Sequence, residues 1–134
     1  MKPQAGAFLD KSRGLLRQAD TMLEVELVEA AGRTAYLVGL HAAQALVFER
    51  TERIVRRHRG VQAEFRRLTE SEPDFDPELR PFLSRTYNLK AIADYDTDPA
   101  SEVSVEEVQQ AIATARRFVA SIEALLAQPG TASG

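Results

Sequence analysis

The sequence predicts an all-α fold, an antiparallel up-and-down bundle of four long helices plus one short helix. Three observations predict it. The last long segment, Val105 to Leu126, spaces its apolar residues alternately three and four apart. Arg33 to about Glu49 is apolar in nearly every direction around a helical wheel, as a helix buried on several sides must be. Finally, no stretch shows a convincing strand pattern, an internal repeat, or the ~18-residue apolar run needed to span a membrane.

The 134 residues, 44% of them apolar, suit a single domain over residues 1–127, with a disordered tail expected at 128–134. The opening Met-Lys-Pro-Gln-Ala-Gly lacks the apolar centre of a signal peptide, so a cytoplasmic location is expected. With no cysteine, disulfides, thiolate metal sites and cysteine nucleophiles are excluded. Two histidines, His41 and His58, are too few for a histidine-built zinc site. Asp94, Asp96 and Asp98 alternate, but without the glycine and downstream glutamate of a calcium loop they read as a solvated loop. No metal and no cofactor are expected. There is also no Gly-rich phosphate loop, zincin helix or nucleophile elbow, so most familiar enzyme classes lack support.

The net charge of −3 gives no global attraction to nucleic acid. Its distribution is uneven: Arg50, Arg53, Arg56, Arg57, Arg59, Arg66 and Arg67 cluster, with Glu49, Glu52 and Glu64 beside or among them. The run reads either as a solvated helix end and loop or as an anion-binding patch. Arg53 also precedes His58 by five positions, a spacing that chance explains well in so arginine-rich a stretch.

In chain order, Ala7 to about Leu23 forms the first helix, with Phe8, Leu15, Leu16, Ala19 and Leu23 near helical spacing. The acidic segment Glu24 to Glu29 belongs to its tail or to the start of the next helix. Arg33 to Glu49 is the central helix, and Ala35, Gly39, Ala42, Ala43 and Ala45 let neighbours approach it closely. His41 and Gln44 are its polar exceptions, read as hydrogen-bonded core or interface residues. Val61, Phe65 and Leu68 make a short third helix from about His58 to Thr69. Asp76 is placed to cap the fourth helix with Pro77 at its first position, while Pro81 lies deeper and predicts a tight first turn or a kink. Ser104 and Glu107 form a capping box that opens the last helix, and Gln128-Pro-Gly ends it.

The fourth helix, Leu79 to Tyr95, is the unusual one. Leu79, Phe82, Leu83, Thr86, Tyr87, Leu89 and Ala93 share an arc at about 100° per residue, and Lys90 and Asp94 fall within it. Such a pair aimed into a core is costly unless it is hydrogen-bonded, so it is expected to face inward or toward a partner copy, and Lys90→Ala to cost several kcal/mol.

Tyr36 to Leu46, His58-Arg-Gly-Val, Arg85 to Tyr95 with its Ala93-Asp94-Tyr95, Val103 to Glu107 and the amphipathic last helix together resemble the bacterial HEPN domains. In particular the chain is similar to the branch in which a basic residue precedes Ala-Asp-Tyr, and the likeness runs from about Leu15 to Leu126. The resemblance implies a small helical bundle, commonly a homodimer, often encoded beside a minimal nucleotidyltransferase in toxin–antitoxin-like modules. Many such domains are metal-independent RNases that use an arginine followed after four to six residues by a histidine. Here Lys90 stands near the expected basic residue, and Asp94 takes roughly the histidine's place, followed by Tyr95. An aspartate paired with Lys90 stays ionised and is a poor general acid.

Three functions follow as expectations. The first is binding of RNA or a nucleotide, or of a nucleotidyltransferase partner, through Arg85, Lys90, Asp94, Tyr95, Arg56, Arg57 and Arg59. The second is a non-catalytic dimeric interaction module joined through an apolar face of the central or last helix. The third is a divergent metal-independent RNase using His58 or His41 with Arg53 or Arg85. A purely structural role for the row Thr86, Lys90 and Asp94 stands beside all three.

Overall fold

A computed structural model describes residues 1–98 and 102–128, so most of the expected C-terminal tail lies outside the described residues. Among these the chain is all helical: α1 (Pro3–Glu24), α2 (Val28–Thr51), α3 (His58–Glu70), α4 (Phe82–Tyr95) and α5 (Val105–Ala127), with one 3-10 turn at Pro77–Leu79. None of the described helices is long and apolar enough to cross a membrane.

The undecided acidic segment resolves into a short break. Glu26 adopts a left-handed φ of 65°. Its N–H bonds the carbonyl of Leu23 and the N–H of Leu27 that of Met22, closing α1 in a Schellman arrangement. Glycine usually takes this position, because a side chain there crowds the backbone.

α2 packs against α1, α3, α4 and α5. Four neighbours account for its apolar surface in all directions, so α2 leaves no broad apolar face for a partner copy. Its small residues act as expected: a Cβ on Gly39 would lie 2.4 Å from the Phe82 ring and 3.1 Å from Leu83. Nearer the start of α2, Gly32 faces Leu89 and Val108. Residues late in α4 therefore meet residues early in α2, and the two helices run in opposite directions. The larger core gathers Phe65, Phe75, Phe82 and Phe118, with ring centres 5.0–5.4 Å apart for three of the pairs.

The fourth helix is shorter than expected. Asp76 does accept a bond from the N–H of Glu78, but it caps only the 3-10 turn. Pro81 has no N–H to give the preceding turn, so the α-helix restarts at Phe82 and runs for 14 residues. Three helices of 22 to 24 residues thus combine with two of 13 and 14. At the start of α5, Ser104 and Glu107 form the reciprocal capping box.

Candidate functional site

The link between α2 and α3 runs back along α2, held there by Gln44, whose side-chain amide donates to the Val55 carbonyl at 2.8 Å. Gly60 lets the first turn of α3 press onto it, since a Cβ there would lie 2.8 Å from Val55. This delivers His58, the first residue of α3, to Tyr36 on α2 and Tyr87 on α4.

His58 stacks on Tyr87 with ring centres 4.2 Å apart. Its Nδ1 lies 2.9 Å from the hydroxyl of the buried Tyr36, which donates to it when the neutral ring carries its proton on Nε2. Burial lowers the His58 pKa, and the nearby charges of Arg59 and Lys90 lower it further. Tyr36, desolvated and close to Tyr87, is pushed up to about 12. The cluster thus holds a neutral imidazole stacked on the Tyr87 ring and bonded to a protonated Tyr36 hydroxyl.

One turn along α4, Lys90 extends from this cluster. Its ammonium sits 5.7 Å from the centre of the Tyr87 ring and 5.2 Å from that of Tyr95, within cation–π range of both. It pairs with Asp94 at 2.9 Å, as the i,i+4 spacing predicts. A second cation, Arg33 of α2, donates to the other Asp94 oxygen at 2.7 Å. The bonds from Lys90 and then Arg33 hold the Asp94 carboxyl below its ordinary range, and Asp94 in turn raises Lys90.

The pair is not inside the core. The Lys90 and Asp94 side chains retain 20% and 23% of their exposure at the rim of the bundle. They share the angular face of Leu83 and Thr86, yet lie farther along α4, where α2 offers Arg33 instead of apolar cover. Nor does the row Thr86, Lys90, Asp94 form one network, because the Thr86 hydroxyl is taken by the Phe82 carbonyl of its own helix.

The other predicted residues divide. Arg57 precedes α3 as its N-terminal flanking residue, and Arg56, Arg57 and Arg59 are exposed around His58. Their acidic neighbours are already engaged: Glu49 and Glu52 with Lys2, and Glu64 with Arg53 and Arg67. Among the described residues these three arginines make no ion pair. Arg53 lies over the Gly60 and Glu64 side of α3, whereas His58 and Gln62 face α4, so the Arg53 and His58 spacing does not make a joint site. His41 is elsewhere, stacked on Phe8 and bonded to Gln44 at 2.7 Å, the role expected of a core histidine. Arg85 borders a separate groove between α4 and α5, beside Glu107 and Gln110.

Arg33, Tyr36 and Tyr87 are the cluster members that sequence reasoning did not single out as site residues. The i,i+3 spacing of Arg33 and Tyr36 places them on one face of α2, but nothing local says that α4 covers that face.

An all-helical domain whose central helix and two neighbours converge on a cationic, aromatic cluster is the class defined by these features. The sequence profile of the HEPN domain matches residues 5–125, and the chain belongs to that family. No curated protein matches it.

Proposed function

We propose that this HEPN protein binds RNA or a nucleotide through the face made by Arg56, Arg57, Arg59, Lys90 and Tyr95, as part of a toxin–antitoxin-like module with a nucleotidyltransferase partner. The observation that carries the reading is the joining of three arginines without acidic partners to a lysine lodged between two aromatic rings. Arginines offer forked donors to phosphate, and Tyr95, 73% exposed, offers a free ring face to a base. Asp94 contributes little repulsion, since Arg33 and Lys90 together exceed its charge. The family resemblance supports the module and the partner.

Anisotropy of a labelled single-stranded RNA tests this. Affinity should fall steeply with salt, and Arg56→Ala with Arg57→Ala should reduce the log–log slope by ~0.7 for each phosphate no longer neutralised. Tyr95→Ala should weaken binding by ~1–3 kcal/mol while leaving the slope unchanged. Binding that ignores salt, or the absence of binding, refutes the reading.

A divergent metal-independent RNase is the second reading, favoured by the placing of a neutral His58 near Lys90; it requires the Tyr36 hydroxyl to release Nδ1, the one nitrogen of that tautomer able to accept a proton. RNA left intact by the purified protein, with and without its partner, removes it.

A further inference from the structure

The break at Pro81 sets Arg80, the residue before it, against the final turn of α3. Arg80 donates to the Thr69 carbonyl at 2.8 Å and to the Thr69 hydroxyl at 3.1 Å, and its guanidinium lies 5.6 Å from the centre of the Phe75 ring. The buried Thr69 hydroxyl donates its own proton to the Phe65 carbonyl. Neutral groups thus fix the guanidinium in place. Arg80 satisfies a carbonyl at the end of α3 and meets the negative end of its dipole. That role leaves further N–H donors of the guanidinium unused and supplies no carboxylate.

Beside Arg80 the surface is concave. A cavity of about 500 Å³, within the usual range for a small-molecule site, opens between α3 and the start of α4. Gln62, Arg66 and Thr69, spaced four and three apart, line it from one face of α3, and Pro81 and Ser84 line it from the other side. Gln62 donates to the Ser84 hydroxyl, whose own proton remains for another acceptor. Arg66 is exposed, and its chain neighbour Arg67 takes Glu64 instead. Among the described residues neither Arg66 nor Arg80 forms an ion pair. Glu70 also lines the cavity, so two cations and one anion leave it a single positive charge. No residue of the proposed RNA-binding face lies in its walls.

We propose that this cavity is a binding site for a small organic carboxylate, its anion received by Arg66, Arg80 and the Ser84 hydroxyl and its apolar body resting on Phe65 and Pro81. Forked guanidinium donors match the two oxygens of a carboxylate, and an arginine already held in place loses little further freedom on binding. The single positive charge suits a monoanion, while Glu70 opposes a dianion such as a phosphate monoester. Closing the end of α3 accounts for the position of Arg80, but not for the second arginine or the open cavity.

NMR titration of the labelled protein with benzoate, benzamide and phenyl phosphate tests this without RNA, so the outcome is independent of the RNA-binding reading. Benzoate should shift the Gln62 side-chain amide and the Arg80 Nε–H resonances and saturate with a Kd of about 1 mM, as suits a ligand of its size. Benzamide has the same shape without the charge and should bind at least ~10-fold more weakly, the lower end of the effect of a hydrogen bond to a charged group. Phenyl phosphate, a dianion at about pH 8, should bind more weakly than benzoate, and Glu70→Gln should narrow that gap. Arg66→Ala should weaken benzoate by ~10-fold and leave benzamide unchanged. This variant removes an exposed side chain outside the core, so it serves even where Arg80→Gln frays α3. Shifts that do not saturate, equal binding of benzoate and benzamide, wild-type affinity for benzoate in Arg66→Ala, or tighter binding of phenyl phosphate overturns the proposal.

Discussion

Asp94 decides what the polar end of α4 is for. Two cations reach it from different helices, Lys90 from its own and Arg33 from α2, so losing either leaves the carboxylate paired. Lys90→Ala should therefore barely move the thermal midpoint, in contrast to the several kcal/mol expected of a buried pair, and should instead weaken RNA binding and make it less salt-sensitive. Melting curves and anisotropy on the same preparation separate the two effects. A large loss of stability would mean that Lys90 acts as a core residue after all. The pairing of Lys90 with Asp94 was legible from a four-residue spacing. Arg33 was not, because it is 61 positions away and only the packing of α4 on α2 brings it near.

Among the elements, α2 sets the tightest tolerances. Gly39 lies where the Phe82 ring crosses, at 2.4 Å from a hypothetical Cβ, and a close-packed interior leaves that ring little room to retreat. Alanine is worth ~1 kcal/mol more than glycine in a helix, but overpacking costs about 1–3 kcal/mol. Gly39→Ala should thus lower stability in a denaturant titration, against the propensity trend; increased stability would show that α4 can shift to accommodate the methyl group. The small residues of α2 indicate in the sequence that something approaches closely, without saying which helix. The α4 boundary shows the opposite case. Pro81 alone foretold a disturbed first turn, since its missing N–H is a local, covalent fact.

At the scale of the whole molecule, two histidines on different sides of α2 give the fold its pH dependence. Burial is the main cause lowering the pKa of both His41 and His58, although the Gln44 bond partly opposes this at His41. The folded state then binds protons less readily than the unfolded chain. The stability they provide is complete above the ordinary histidine value of 6.5 and is lost as pH falls through the lower folded-state values. Thermal midpoints should decline on acidification below that point, and His41→Gln with His58→Gln should flatten this part of the curve. Histidine NMR titrations should place both midpoints below 6.5. A midpoint above it for His58 would contradict the geometry around Tyr36 and Tyr87.

By itself the sequence determined the helical elements, the capping box before α5 and the all-round apolar character of α2, and it carried the family resemblance. The first three depend on residues within a few turns of one another, and spacing records such relations directly; the resemblance rests on the order of motifs along the chain. The tertiary structure alone decided that His58 meets Tyr36 and Tyr87, that Arg33 shares Asp94, and that Arg53, His41 and Arg85 stand apart from the cluster. It also decided how deep Lys90 lies, because a helical wheel gives the direction of a side chain but not whether a neighbouring helix reaches far enough to cover it. Burial is a property of two surfaces, and periodicity reads only one.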